Sequence, residues 1–187
     1  MIYSQLSLGQ ACLMAGFILL AMGGAAVARP EPVKAWLLAF PRSIKWGYIL
    51  LVAATAWSWY LIDTIDLGEF SDWKNRLLII IPVAGILTGR FVDEFLAARA
   101  LGMLALLAAE PLLESAFLRP EQSRLVLVVL AYVWIVAAMF WIGVPYVLRD
   151  QIRWLTTSLN RLRGGAIFTL IYGAILIILG LTLHRSA

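Results

Sequence analysis

A chain of 187 residues that is 63% hydrophobic and 14% charged lies well outside the soluble norm of about half apolar and about a quarter charged. A soluble domain of this size leaves too much of its surface wet to hide that much apolar material, so composition excludes an ordinary cytosolic enzyme and points to a single integral membrane domain over residues 1–187. One cysteine and one histidine exclude an intrachain disulfide, a cysteine metal cluster and any two-histidine centre, so no metal or cofactor is expected. The net charge of +4 comes from basic residues beside apolar runs, where they face lipid headgroups, and no nucleic-acid partner is expected.

Six apolar runs fill the chain, at 9–28, 46–62, 77–91, 97–118, 125–147 and 165–183. Each approaches the roughly 20 apolar residues that a spanning helix needs. The expected fold is therefore an all-α polytopic transmembrane bundle of about six spans, with two basic amphipathic helices at the interface. Ala26-Val27-Ala28 resembles a signal-peptidase site, but residues 1–28 contain no Lys or Arg; without a basic leader the first run reads as a retained span. Within it Gly9, Gly16 and Gly23 recur every seven residues.

The first link is too long for a turn. Val33, Trp36, Leu37, Phe40 and Ile44 follow helical spacing, with Lys34, Arg42 and Lys45 off that stripe. Pro30 and Pro32 suit a helix start, and Pro41 should kink it. This predicts an interfacial helix with basic residues toward anionic headgroups.

The third run is short, and Arg90 must snorkel or the bilayer must thin around it. A five-span chain with a broken third segment is the alternative. Arg90 and Glu94 have the i, i+4 spacing of a helical ion pair, and with Asp93 and Arg99 they suggest a solvated salt-bridge turn. The run Asp93 to Arg99 distantly resembles the CDP-alcohol phosphotransferase motif. It lacks the glycine after the aspartate, its Ala–Arg spacing is one residue too long and the downstream metal-binding aspartates are missing. No such activity is carried over.

Glu110 and Glu114 are the carboxylates well inside an apolar run, four residues apart and so on one face of the fourth span. Pro111 between them frees the carbonyl of Leu107 and should bend the helix. An ionised carboxylate at that depth costs about 2.5–3.5 kcal/mol on insertion scales. The pair is a candidate proton, ion or polar site, with Thr55, Tyr132 and Trp134 at similar depth and Arg119 or Arg124 as partners for Glu114. A structural carboxylate is the competing reading.

The link after the fifth run repeats the first. Ile152, Leu155, Leu159 and Leu162 form a stripe flanked by Arg149, Arg153, Arg161 and Arg163. At an offset of 118, Trp36 falls on Trp154, Leu37 on Leu155, Lys45 on Arg163 and Gly47 on Gly165, as a duplicated helical hairpin would give. The last run carries Ala166, Gly173 and Gly180 seven apart. It runs antiparallel to the first, so the two small-residue faces are expected to touch each other or to dock a partner.

Links holding Arg29, Lys34, Arg42, Lys45, Arg90, Arg99, Arg149, Arg153, Arg161 and Arg163 face five basic residues on the other side. By the positive-inside rule the first set is cytoplasmic and both termini lie outside, in a bacterial inner membrane. Trp36, Trp46, Trp73 and Trp154 fall at the boundaries; Trp57, Trp59, Trp134 and Trp141 are expected in the core. The function expected from these features is a non-enzymatic multi-pass membrane protein, an accessory or scaffold subunit of a membrane complex or a lipid-interacting element. Its partners would be anionic headgroups and protein subunits. The alternative is a small transporter or proton-coupled permease using Glu110 and Glu114.

Overall fold

The computed structural model describes residues 6–91 and 94–185. Among these the chain is 89% helix and contains no strand. Eight α-helices follow in order: α1 Leu8–Ala28, α2 Pro30–Ala39, α3 Ile44–Thr64, α4 Ser71–Phe91, α5 Leu96–Ala116, α6 Arg124–Gly143, α7 Tyr146–Thr156 and α8 Leu159–Arg185.

Local chemistry sets the ends. Ser7 and Gln10 form a reciprocal capping box on α1: the Gln10 amide donates to Ser7 Oγ at 3.2 Å and the Ser7 amide to Gln10 Oε1 at 3.0 Å. Ser43 caps α3 by accepting from the Trp46 amide, and Ser158 accepts from the Arg161 amide at the start of α8. Lys74 Nζ donates to the carbonyls of Asp63 at 2.6 Å and Ile65 at 3.4 Å. It thereby ties the last turn of α3, whose carbonyls lack helical partners, to the first turn of α4.

Among the described residues, four helices are long and apolar enough to cross a membrane: α1, α5, α6 and α8 over Leu159–Leu183. A fifth arises if Pro30–Arg42 and Ile44–Thr64, bent by 71° at their junction, count together. The second predicted span, α3, therefore does not qualify by itself, and the third qualifies in neither way. Its helix, α4, exists and is longer than 77–91, but only 13 residues separate Arg76 from Arg90. At 1.5 Å per residue those cover about 20 Å, well short of the roughly 30 Å hydrocarbon core. Pro82 also sits inside α4, where it cannot donate to the Leu78 carbonyl.

The links differ from expectation in detail. The first is not one continuous stripe: α2 stops at Ala39 and a 3-10 turn covers Phe40–Arg42, with Pro41, which has no N–H to donate to the Leu37 carbonyl, inside it. Phe40 is buried, but Ile44 is exposed and α2 itself buries no residue. The other stripe crosses a helix break. Ile152 is in α7 and Leu162 in α8, both buried, while Thr156 and Thr157 turn their hydroxyls back onto the carbonyls of Ile152 and Arg153. Such back-bonding offers the backbone an alternative to the helical ladder, and α7 ends there. Residues 144–147 leave the fifth span, because α6 ends at Gly143 and α7 starts at Tyr146.

The contacts divide the chain into two compact units. One holds α3, α4, the first half of α5 and the second half of α6. Its core is Leu51, Leu96 and Ala100, with Leu50 and Met103 against them. Gly47 lets α3 come close to Leu96 and Ala97 of α5, and Gly102 does the same for α5 against Ala138 and Ile142 of α6. Tyr48 donates its hydroxyl to the Gly89 carbonyl at 2.8 Å, joining α3 to the last turn of α4.

The other unit holds α1, α2, the remaining halves of α5 and α6, most of α7, and α8. Its main contact is α1 against α8. Gly16 faces Gly173 so closely that a Cβ on either would sit under 3.0 Å from the other's carbonyl oxygen. Gly23 meets Ala166 and Leu170, and Gly180 meets Gly9 and Leu13 in the same way. Small residues let two backbones approach where lipid tails offer no hydrophobic incentive to associate, and close approach also brings Cα–H groups to facing carbonyls. Tyr172 of α8 donates to the Val126 carbonyl of α6 at 2.7 Å.

Candidate functional site

The predicted acidic pair does not occupy one environment. Glu110 is exposed on α5, whereas Glu114, one turn later, is half-buried with Oε1 covered by protein. Pro111 between them lies inside the continuous helix α5. Arg124 directs Nη1 to the Ala116 carbonyl at 3.4 Å, closing the corner between α5 and α6, and Arg119 is exposed. Tyr132 is exposed and Trp134 half-buried. Thr55 lies in the wall of a groove between α3 and α4 whose lining includes neither glutamate.

That groove is a feature the sequence reading missed. It has a volume of about 760 Å³ and is built from α3 and α4 alone. Gly85 forms its floor: a Cβ there would come 2.6 Å from Thr55 Oγ1. Tyr48, Val52 and Trp59 stand along α3, and Pro82 and Ile86 along α4, with Arg90 at one end. Its signal in the sequence was the triplet Pro82, Gly85 and Gly89, small or donor-less residues on one face of a helix otherwise rich in Leu and Ile. Sequence reasoning treated that stretch only as a short span.

The basic residues of the two links separate by environment. Lys34 is half-buried, while Arg42 and Lys45 are exposed at the junction of α2 and α3. On α7, Leu148, Ile152 and Thr156 are buried while Arg153 and Trp154 are exposed, so one face packs and the other is polar and aromatic. Arg161 lies with its guanidinium 5.3 Å from the Trp154 ring centroid, within cation–π range, and Arg163 is exposed. Arg149 Nε donates to Asp150 Oδ1 at 2.8 Å. This bond, and secondarily the nearby charges of Arg149 and Arg153, hold the Asp150 carboxyl below the usual carboxylate range.

The salt-bridge turn predicted around Arg90 differs. Helix α4 ends at Phe91, so Arg90 and Glu94 do not share a helix, and no ion pair joins them. Asp93 lies outside the described residues. Of the tryptophans expected in the core, Trp57, Trp134 and Trp141 are half-buried and Trp59 is exposed toward the groove. No group of three or more metal-ligating side chains occurs among the described residues. No protein family model, curated protein or solved structure matches the chain.

Proposed function

We propose that this is a non-enzymatic multi-pass membrane protein that organises anionic lipid headgroups on the cytoplasmic face, as a scaffold or accessory element of that membrane. In this reading the chain crosses six times, with α4 as a thin crossing that snorkels Arg90. Both termini lie outside the bacterial inner membrane, and α2 and α7 rest in the inner interface. The observation that carries the reading is α7: a packed face of Leu148 and Ile152 behind an outer face of Arg153 and Trp154, extended by Arg161 stacked on that tryptophan. Tryptophan settles at headgroup depth, and each basic residue near an anionic surface contributes about 1 kcal/mol.

The α1–α8 glycine face bears on the partner question. Gly16 and Gly173 cover each other within the chain, so a partner subunit would dock elsewhere.

The test is reconstitution in phosphatidylcholine vesicles with a minority of spin-labelled phosphatidylglycerol. The motionally restricted lipid should be enriched in phosphatidylglycerol, and the enrichment should fall with salt and in the triple variant R153Q/R161Q/R163Q. Equal restriction of both lipids refutes the reading. Proton flux into the same vesicles that is lost in Glu110→Gln would establish the transporter alternative.

A further inference from the structure

We infer that the α3–α4 groove is a specific site for one anionic phospholipid of the cytoplasmic leaflet, its acyl chain along the groove and its phosphate at Arg90. The inference rests on the lipid-interacting reading and orientation above, but it concerns a different surface and a different mode of binding.

Three observations converge. The first is size. The groove's volume of about 760 Å³ falls in the roughly 300–1,000 Å³ range of ligand pockets. The second is length. From Tyr48 to Trp59, α3 rises about 16 Å at 1.5 Å per residue, close to half of the roughly 30 Å hydrocarbon core. A partner helix would need a contact running through both leaflets, whereas a groove one leaflet long suits an acyl chain.

The third is charge. Arg90 is exposed at one end of a lining whose other residues are uncharged, and Lys45 lies one turn before Tyr48 on the same face of α3. No ion pair joins Arg90 to a described residue. A phosphodiester supplies the anion at the depth where the groove opens onto the interface, and the guanidinium fork recognises it well. The lipid tail gains little by leaving other tails, so headgroup charge should decide which lipid stays.

The floor of the groove is fixed by the same residues that hold α3 to α4. Gly85 fits under Thr55, and the Tyr48 hydroxyl satisfies the Gly89 carbonyl in the last turn of α4. The groove is therefore a property of the folded pair, not a gap awaiting a side chain.

The experiment is native mass spectrometry of the full-length protein ejected from nanodiscs of equimolar phosphatidylglycerol and phosphatidylcholine. Wild type and the triple variant R153Q/R161Q/R163Q, which lacks the annular contacts, should both retain one phosphatidylglycerol in preference to phosphatidylcholine. Ala56→Phe, which adds a ring at an exposed position lining the groove, should abolish retention. Arg90→Gln should lower the phosphatidylglycerol preference about fivefold, the worth of one basic residue at a lipid surface. Retention in Ala56→Phe equal to wild type overturns the inference, as does equal retention of the two lipids by wild type. Neither result touches the annular selectivity carried by Arg153, Arg161 and Arg163, whose triple variant should leave groove retention intact.

Discussion

Replacing Gly16 with alanine tests whether backbone contact between α1 and α8 holds their unit together. A Cβ at Gly16 would lie 2.8 Å from the Gly173 carbonyl oxygen and 2.8 Å from Ile177 Cγ1. Ordinary contact begins near 3.4 Å, so the shortfall is about 0.6 Å. Ile177 can change rotamer, but the Gly173 carbonyl belongs to a helix and cannot retreat unless α8 moves as a whole. Overpacking of this kind costs about 1–3 kcal/mol. It is partly masked by the roughly 0.8–1.0 kcal/mol that alanine gains over glycine inside a helix. Gly24, on the same helix with nothing within 4 Å of its would-be Cβ, carries the propensity gain without the clash. The difference between Gly16→Ala and Gly24→Ala is then the packing cost alone. Unfolding in mixed micelles by titration with dodecyl sulfate should show Gly16→Ala less stable than Gly24→Ala by about 1–3 kcal/mol. Adding Gly173→Ala should cost less than it does alone, because the first substitution has already parted the helices. If the two alanine variants agree within about 0.5 kcal/mol, the additivity limit for independent sites, close backbone packing is not what holds α1 to α8.

Two further outcomes follow from local geometry. Leu118, just past the end of α5, sits at φ 55° with 80% of its surface exposed. The left-handed region costs a branched residue about 1–2 kcal/mol and suits asparagine better. Leu118→Asn should therefore raise stability by up to about 1 kcal/mol in the same titration, and a loss would contradict it. Asp150, lowered first by its hydrogen bond from Arg149, should titrate below an ordinary aspartate when followed by carboxyl NMR. Because its folded pKa is depressed, any stability it contributes is present above the unfolded value and lost as pH falls through the folded one. Arg149→Gln should return its midpoint toward the usual range; an unmoved midpoint would mean that the bond does not form.

Helix existence was legible because it rests on apolar run length, which the chain states openly. The small-residue series of α1 and α8 was legible for a related reason: seven-residue spacing puts Gly9, Gly16 and Gly23 on one helix face, and in lipid only such a face lets backbones touch. What did not read out was anything requiring a third dimension. Glu110 and Glu114 share a helix face by spacing, yet neighbours cover one and leave the other open. The α3–α4 groove depends on Gly85 lying opposite Thr55, 30 positions earlier, and no periodicity along one helix carries that information. Helix ends were misplaced where side chains compete with the backbone, as Thr156 and Thr157 do at the end of α7.

The offset of 118 residues gains content from these ends. Shifted by it, α1, α2 and α3 fall on α6, α7 and α8, every boundary within three residues, little more than the scatter of helix assignment itself. Order agrees, α1 and α2 match α6 and α7 in length within one residue, α8 is longer than α3 (27 residues against 21), and particular positions agree. Trp36 and Trp154 are both exposed beside a basic cluster, and Gly47 and Gly165 both admit a neighbouring leucine, Leu96 in one case and Leu155 in the other. The burial differs: α7 packs Leu148 and Ile152, whereas α2 buries nothing. A duplicated hairpin whose copies kept their order but divided their faces would look like this. Parity then bears on α4. Two copies in the same orientation need an even number of crossings between α3 and α6, and only α4 and α5 lie there. Since α5 is long and apolar enough to cross, a same-way pair of hairpins requires α4 to cross too. Its 13 uncharged residues between Arg76 and Arg90 would then make a short crossing completed by those two side chains reaching out to the headgroups, Arg90 at the mouth of the α3–α4 groove.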